Sequence, residues 1–218
     1  MKRIVDDPHR PDPLFAEVYA RLPDATGLEP WLTWCRAAAP PVLYLGIGAG
    51  RLAAPLAAAG VELVGVDAHP AMLEAVGRRI PEVELHQSLI ADLDLGRRFD
   101  LVIGPSSVLG TRANLRAAAR HVRPGGRVGF ELMNPHWFLS GKTPGVRILE
   151  RRGDLVRMEV DYPGGYVQAA RARLRWPERI EGLLRGTGLR LLRLDGGASL
   201  TESPTYTVLT DTLSRRGT

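Results

Sequence analysis

Three glycines in five residues, Gly46-Ile47-Gly48-Ala49-Gly50, are the densest chemical signal in the chain. They follow an apolar run, Val42-Leu43-Tyr44-Leu45, and lead into a helix-forming stretch from Arg51 to Ala59. Glycine lets the backbone turn sharply and approach a ligand closely. The helix behind the turn aims unpaired N–H groups at whatever sits there. A second apolar run, from Val61, ends in Asp67, 21 positions after Gly46. An acid at that strand end accepts hydrogen bonds from a ribose diol. Glycine turn, acid and strand–helix order together point to a nucleoside ligand. In the dinucleotide pattern G-x-G-x-x-G the last glycine falls one residue later, where this chain has Arg51. That spacing suits a nucleoside without a pyrophosphate better than NAD.

A second group of polar residues follows later strand ends. Gly104-Pro105-Ser106-Ser107 comes after the run Phe99–Ile103, and Glu131–Trp137 (ELMNPHW) closes the run Arg127–Met133. His136 is the first titratable side chain beyond that strand, and its ordinary pKa of about 6.5 suits proton transfer near neutrality. It is the candidate to orient an acceptor or take its proton. Asn134 and Ser106 are turn-formers that can also donate hydrogen bonds. Glu131, within the strand, reads as structural. No pair of acids follows Phe99–Ile103, and the single cysteine, Cys35, excludes an internal disulfide and a cysteine-rich zinc site. No metal site is expected.

These residues need a scaffold that brings strand ends together. Residues 14–38 read as helical, with a break at Pro23. Strands at Val42–Leu45, Val61–Val66, Val83–His86, Phe99–Ile103 and Arg127–Met133 alternate with helices at Arg51–Ala59, Pro70–Arg79 and Thr111–His121. Such alternation implies right-handed crossovers and a mostly parallel, doubly wound α/β sheet covered on both faces. Residues 146–175 break the pattern, with turns at Gly153-Asp154 and Pro163-Gly164-Gly165, and read as an antiparallel insertion of about three strands. A helix at Pro177–Gly186 and strands at Leu189–Leu194 and Tyr206–Asp211 close the chain. The expectation is one domain over 1–218, with residues 1–40 a helical lid.

Composition bounds the reading further. The chain has 218 residues, 44% hydrophobic and 24% charged, with no apolar stretch of membrane-spanning length. Its start, MKRIVDDPHRPDP, lacks the apolar run of a signal peptide, so a cytoplasmic location is expected. The net charge of +5 comes from 29 basic residues, all arginine except Lys2 and Lys142, and spread without a basic run. That argues against nucleic acid as the partner.

Four segments, VLYLGIGAG (42–50), VELVGVDAHPAML (61–73), FDLVI (99–103) and LRAAARHVRPGGRVGFEL (115–132), resemble the class I S-adenosylmethionine-dependent methyltransferases in order and spacing. The resemblance implies a seven-stranded sheet in the order 3-2-1-4-5-7-6, with the last strand antiparallel. It implies that Gly46, Gly48 and Gly50 flank the methionyl part of S-adenosyl-L-methionine and that Asp67 holds the ribose. Ala68, Met72 and Ile90 would lie near the adenine, and Gly104 would border the cofactor after the fourth strand. The first strand has Tyr44 where the family usually has an acid, and Leu89 stands where an Asp often reads the adenine; Asp92 follows three positions on. The tail TGLRLLRLDGG after an antiparallel insertion is similar to small-molecule methyltransferases of the sugar N,N-dimethyltransferase and glycine N-methyltransferase type. In that group the insertion covers the acceptor or builds a homodimer contact. The expected function is methyl transfer to the N or O of a small-molecule acceptor. The alternatives are RNA methylation or a non-catalytic nucleoside-binding protein.

Overall fold

The computed structural model describes residues 2–196, 200 and 202–212. The chain opens with a short strand, β1 (Lys2–Ile4). Helix α1 (Pro13–Ala20) starts where Asp12 accepts the Leu14 N–H at 3.0 Å, with Pro13 in the first turn where no N–H is needed. Helix α2 (Trp31–Arg36) follows. Then come β2 (Val42–Leu45), α3 (Ala53–Ala58), β3 (Leu63–Asp67), α4 (Pro70–Arg79) and β4 (Glu84–Gln87). A short 3-10 turn at Ile90–Asp92 leads to β5 (Phe99–Gly104). Helix α5 (Arg112–His121) is capped by the Thr111 hydroxyl, which accepts the Asn114 N–H at 3.1 Å. After β6 (Val122–Met133) a single turn, α6 (Pro135–Leu139), fills what reads in sequence as a loop. Asn134 caps it through the His136 N–H. The antiparallel excursion is β7 (Val146–Arg152), β8 (Leu155–Tyr162) and β9 (Tyr166–Arg173). The helix expected at Pro177–Gly186 is a 3-10 turn, Pro177–Arg179, followed by α7 (Ile180–Leu184). Strands β10 (Leu189–Asp195) and β11 (Thr205–Thr212) finish the fold.

The large sheet has seven strands in the order β4-β3-β2-β5-β6-β11-β10, with β11 antiparallel to both neighbours. That is the order the family resemblance implies. One face carries Tyr44, Leu63, Leu101 and Ile103 against Trp31, Leu56 and Val76 of α2, α3 and α4. The other carries Leu43, Val64, Val102, Val128 and Phe130 against Leu115, Ala118, Ile180 and Leu184 of α5 and α7. Each buried valine, leucine, isoleucine or phenylalanine among them contributes about 1.5–3 kcal/mol by leaving water. The fifth strand begins five residues earlier than the sequence suggests, at Val122. Phe99 pairs with Val122 and Leu101 with Arg127, so Pro124-Gly125-Gly126 bulges out of a continuous strand instead of preceding it.

The second sheet, β1-β9-β8-β7, contains the three antiparallel strands expected at 146–175 and adds β1, parallel to β9 in the register Lys2↔Tyr166 to Ile4↔Gln168. This returns the N-terminal segment over the large sheet. Among the described residues, no helix is long and apolar enough to cross a membrane.

Candidate active site

The register of the large sheet sets the geometry. Gly65, Tyr44, Ile103 and Gly129 lie side by side on β3, β2, β5 and β6. Side chains alternate faces with a period of two, so Asp67 on β3 and Glu131 on β6 share that face one step on, with Gly46 and Pro105 just past the ends of β2 and β5 between them. Asp67 and Glu131 stand at the ends of this row, three inter-strand spacings or about 14 Å apart. Between them Gly46 and Pro105 raise no long side chain, and Tyr44 makes the floor. The gap is part of a cavity of about 790 Å³, within the common range for small-ligand sites of roughly 300–1,000 Å³.

Gly46 and Gly48 line this cavity with φ of 72° and 56°, left-handed values that favour glycine. A Cβ on Gly46 would lie 2.6 Å from Val108 Cγ1. The Gly48 N–H donates to Asp67 Oδ2 at 2.8 Å and the His69 N–H to Asp67 Oδ1 at 2.9 Å. One carboxylate therefore ties the glycine loop to the start of α4, and each oxygen keeps a lone pair for a ligand hydroxyl. Burial pushes the Asp67 carboxyl above its ordinary range, against the lowering pull of these N–H bonds.

Ala68, Met72, Leu89, Ile90 and Asp92 also line the cavity. The leading N–H groups of the 3-10 turn at Ile90–Asp92 have no partner within the turn. The residues expected at the ribose and adenine, Asp67, Ala68, Met72 and Ile90, are thus brought together. Asp92, which sequence spacing places beyond the usual position, borders the same cavity.

Three expected residues lie elsewhere. Gly50 (φ 81°) faces α4, where a Cβ would meet Val76 Cγ2 at 2.6 Å, so its absence of side chain serves close packing. Gly104 is pressed on Leu109, whose Cγ lies 2.5 Å from where its Cβ would be. His136 does not line the cavity. Its Nε2 meets Glu178 Oε1 at 2.5 Å, and its ring stands edge-on to Trp176 at 5.0 Å. The short α6 turns it away from the strand end and onto the segment before α7. His69 and His121 hold backbone: His69 Nε2 bonds the Asp12 carbonyl at 2.9 Å, and His121 bonds the Ala117 carbonyl and accepts the Leu95 N–H.

Other lining residues come from the segment 1–40, among them Tyr19 and Trp31, which with Trp34 are the aromatic residues of the N-terminal helices that the sequence offers as a lid. Asp6, Pro8 and His9 come from the stretch after β1, and Phe15, Tyr19 and Trp31 from the N-terminal helices. Asp6 neighbours Asp67 and Gln168, and burial and the Asp67 charge both push its carboxyl up. Arg51 lies over the Tyr19 ring at 5.3 Å and donates to the Pro23 carbonyl at 2.7 Å. Its position directly after the glycines was the signal available in sequence. Trp34, by contrast, packs over Gly129, where a Cβ would lie 2.6 Å from its ring.

Glu131 was read as structural, yet it lines the cavity. Its Oε1 accepts the Ser106 N–H at 3.3 Å and its Oε2 the Thr205 hydroxyl at 3.1 Å, while burial pushes its carboxyl up. Ser106 and Ser107 have φ of 55° and 65°, left-handed backbone that costs non-glycine residues about 1–2 kcal/mol each.

The residues fit a sulfonium nucleoside. Asp67 matches a ribose diol, Met72, Leu89 and Ile90 a purine face, and the bare glycine backbone allows close approach of a chain passing above it. Arg51 offers the charge for an amino-acid carboxylate, and the acidic side chains favour a cationic sulfur.

A family profile described as "Methyltransferase domain" matches residues 42–126. The chain is 30% identical over 169 residues to the dTDP-3-amino-3,4,6-trideoxy-alpha-D-glucopyranose N,N-dimethyltransferase of Streptomyces venezuelae, covering 63% of this chain and 70% of that one. It is 32% identical over 128 residues to the dTDP-4-amino-2,3,4,6-tetradeoxy-D-glucose N,N-dimethyltransferase of Saccharopolyspora spinosa, covering 56% of this chain and under half, 45%, of that relative's length. Among solved structures, the glycopeptide N-methyltransferase MtfA in complex with S-adenosyl-L-methionine superposes with a TM-score of 0.66 at 22% identity, covering 96% of this chain and 100% of the other. The match in sheet order and glycine loop, together with these relatives, establishes that the chain belongs to the class I S-adenosylmethionine-dependent methyltransferases.

Proposed function

We propose that the protein transfers a methyl group from S-adenosylmethionine to an amino nitrogen of a small, sugar-like acceptor. The observation that carries this reading is the row Asp67–Gly46–Pro105–Glu131. It offers a nucleoside anchor at one end, an open stretch over the glycines, and a second half-buried acid at the other end. The names of the two curated relatives, both N,N-dimethyltransferases of nucleotide-linked amino sugars, support the choice of acceptor.

The cofactor supplies a methyl group activated on a cationic sulfur. The protein's share is alignment and exclusion of water. Asp67 fixes the ribose, and Arg51 and the Gly46–Gly48 backbone fix the methionyl end. Phe15, Tyr19 and Trp31 cover the cavity, and Tyr44 closes it from below. The acceptor then enters along the side of Pro105, Ser106 and Glu131.

The test is incubation with S-adenosylmethionine and a panel of thymidine-diphosphate amino sugars with their hydroxyl counterparts, followed by mass spectrometry. The expected result is a gain of one or two methyl groups on the amines. Methylation confined to the hydroxyl compounds would reject the amine assignment.

A further inference from the structure

Glu131 is a half-buried acid with unfinished electrostatics. It sits at the carboxyl end of β6 and borders the cavity opposite Asp67. Two neutral donors hold its oxygens, the Ser106 N–H at 3.3 Å and the Thr205 hydroxyl at 3.1 Å. Among the described residues, no arginine, lysine or histidine comes within salt-bridge distance of it. A carboxylate drawn partly out of water loses solvation, and a cation at its side restores that loss.

The surrounding backbone is arranged around this carboxylate. Ser106 and Ser107 both adopt left-handed φ. The Ser107 N–H donates to the Glu131 carbonyl at 3.0 Å and its hydroxyl accepts the Met133 N–H at 2.9 Å. These bonds lock two strained residues so that the Ser106 N–H points at the Glu131 side chain. Consecutive strained residues of this kind concentrate at functional sites. Thr205, on β11, reaches across from the antiparallel strand to fix the second oxygen. Two separate elements therefore hold one acid in one orientation, facing the cavity.

We infer that Glu131 receives the acceptor as an ammonium ion and takes its proton, making the enzyme selective for protonated amines over alcohols. This rests on the amine methyltransferase reading above. The acceptor N–H bond breaks and the proton passes to a Glu131 oxygen. The freed nitrogen pair forms the bond to the transferred methyl carbon, and the pair of the breaking carbon–sulfur bond stays on sulfur. The positive charge moves from sulfur to the product nitrogen, and the Glu131 proton leaves with solvent as product departs. An alcohol brings no cation to satisfy the acid. Within the described structure the titratable side chain facing Glu131 is Tyr44, from β2; Asp67, Asp6 and Arg51 lie farther along the cavity.

The test uses the full chain with S-adenosylhomocysteine and two probes of one shape, cyclohexylammonium and cyclohexanol, by calorimetry. The ammonium should bind the loaded protein at least tenfold more tightly than the alcohol, since a hydrogen bond to a charged group sets that scale. Glu131→Gln should abolish the preference while binding S-adenosylhomocysteine as the parent does. With an amine acceptor, the same variant should lose turnover most at low pH, where the amine is charged, and Glu131→Asp should restore part of it. Equal binding of the two probes by the parent, no ammonium binding at millimolar concentration, or an unchanged preference in Glu131→Gln would overturn the inference. The probe comparison on the parent needs no variant and stands if Glu131→Gln does not fold. Failure to bind S-adenosylhomocysteine at all would strike the methyltransferase reading instead.

Discussion

Removing the Asp67 carboxylate gives a sharp test of the ribose assignment. Its two oxygens each accept one backbone N–H, from Gly48 at 2.8 Å and His69 at 2.9 Å, and each keeps a lone pair toward the cavity. A hydrogen bond to a charged group is worth about 1.5–3 kcal/mol, so Asp67→Ala should raise the dissociation constant of S-adenosylhomocysteine roughly 10- to 150-fold. The variant also frees the glycine loop, and that loss must be separated from the ligand contact. A 2′-deoxy analogue of S-adenosylhomocysteine does this. The parent should bind the analogue more weakly than the intact nucleoside, and the variant should scarcely distinguish them. The four affinities from calorimetry form a cycle whose coupling term belongs to the Asp67–hydroxyl contact. A folded Asp67→Ala variant that discriminates the two ligands as strongly as the parent does would refute the reasoning.

Gly46→Ala adds a methyl 2.6 Å from Val108 Cγ1 at a φ of 72°; the expected loss is about 1–2 kcal/mol or more of stability, read by denaturant titration, and an unchanged midpoint would contradict the packing argument. Asp6→Asn should stabilise the ligand-free protein. Asp6 is raised by burial and by Asp67, so the folded state holds this proton to higher pH than the unfolded chain. Its penalty grows as pH rises from the ordinary carboxyl range through the raised value. The gain in melting temperature should appear at pH 7 and vanish near pH 3, and an equal gain at both would show that charge is not the cause. His136→Ala should leave turnover within a few-fold of the parent, because its ring lies on Trp176 and Glu178 outside the cavity. A fall of about 10²-fold or more, the scale of a lost general base, would return His136 to the chemistry.

The sheet order and the grouping of Gly46, Gly48 and Asp67 at one cavity were legible because their signals are local. Gly46 and Gly48 occupy left-handed backbone, a demand visible residue by residue, and Asp67 ends an apolar run. Glu131 was not legible as a site residue. Its face depends on the register of β6 against β5, and its neighbour Thr205 lies 74 positions away. The bulge at Pro124-Gly125-Gly126 hid the true start of β6, because a turn signature is the same inside a strand as before one. His136 was misplaced by a single turn of helix, α6, too short for periodicity to reveal. Asp6 and His9 carry no motif; a three-residue strand paired far along the chain brings them over the cavity.

That pairing has a consequence for how the protein comes into being. Lys2–Ile4 can join its sheet only after Tyr166–Gln168 exists. This strand is thus made well before the one it pairs with, and contacts of such sequence separation close slowly. The glycine loop and Asp67 can assemble before this strand is seated, leaving that side of the cleft open to water until Tyr166–Gln168 is in place. A mature-looking central sheet should therefore precede cofactor retention in refolding experiments, with Asp6 and His9 arriving as the late step.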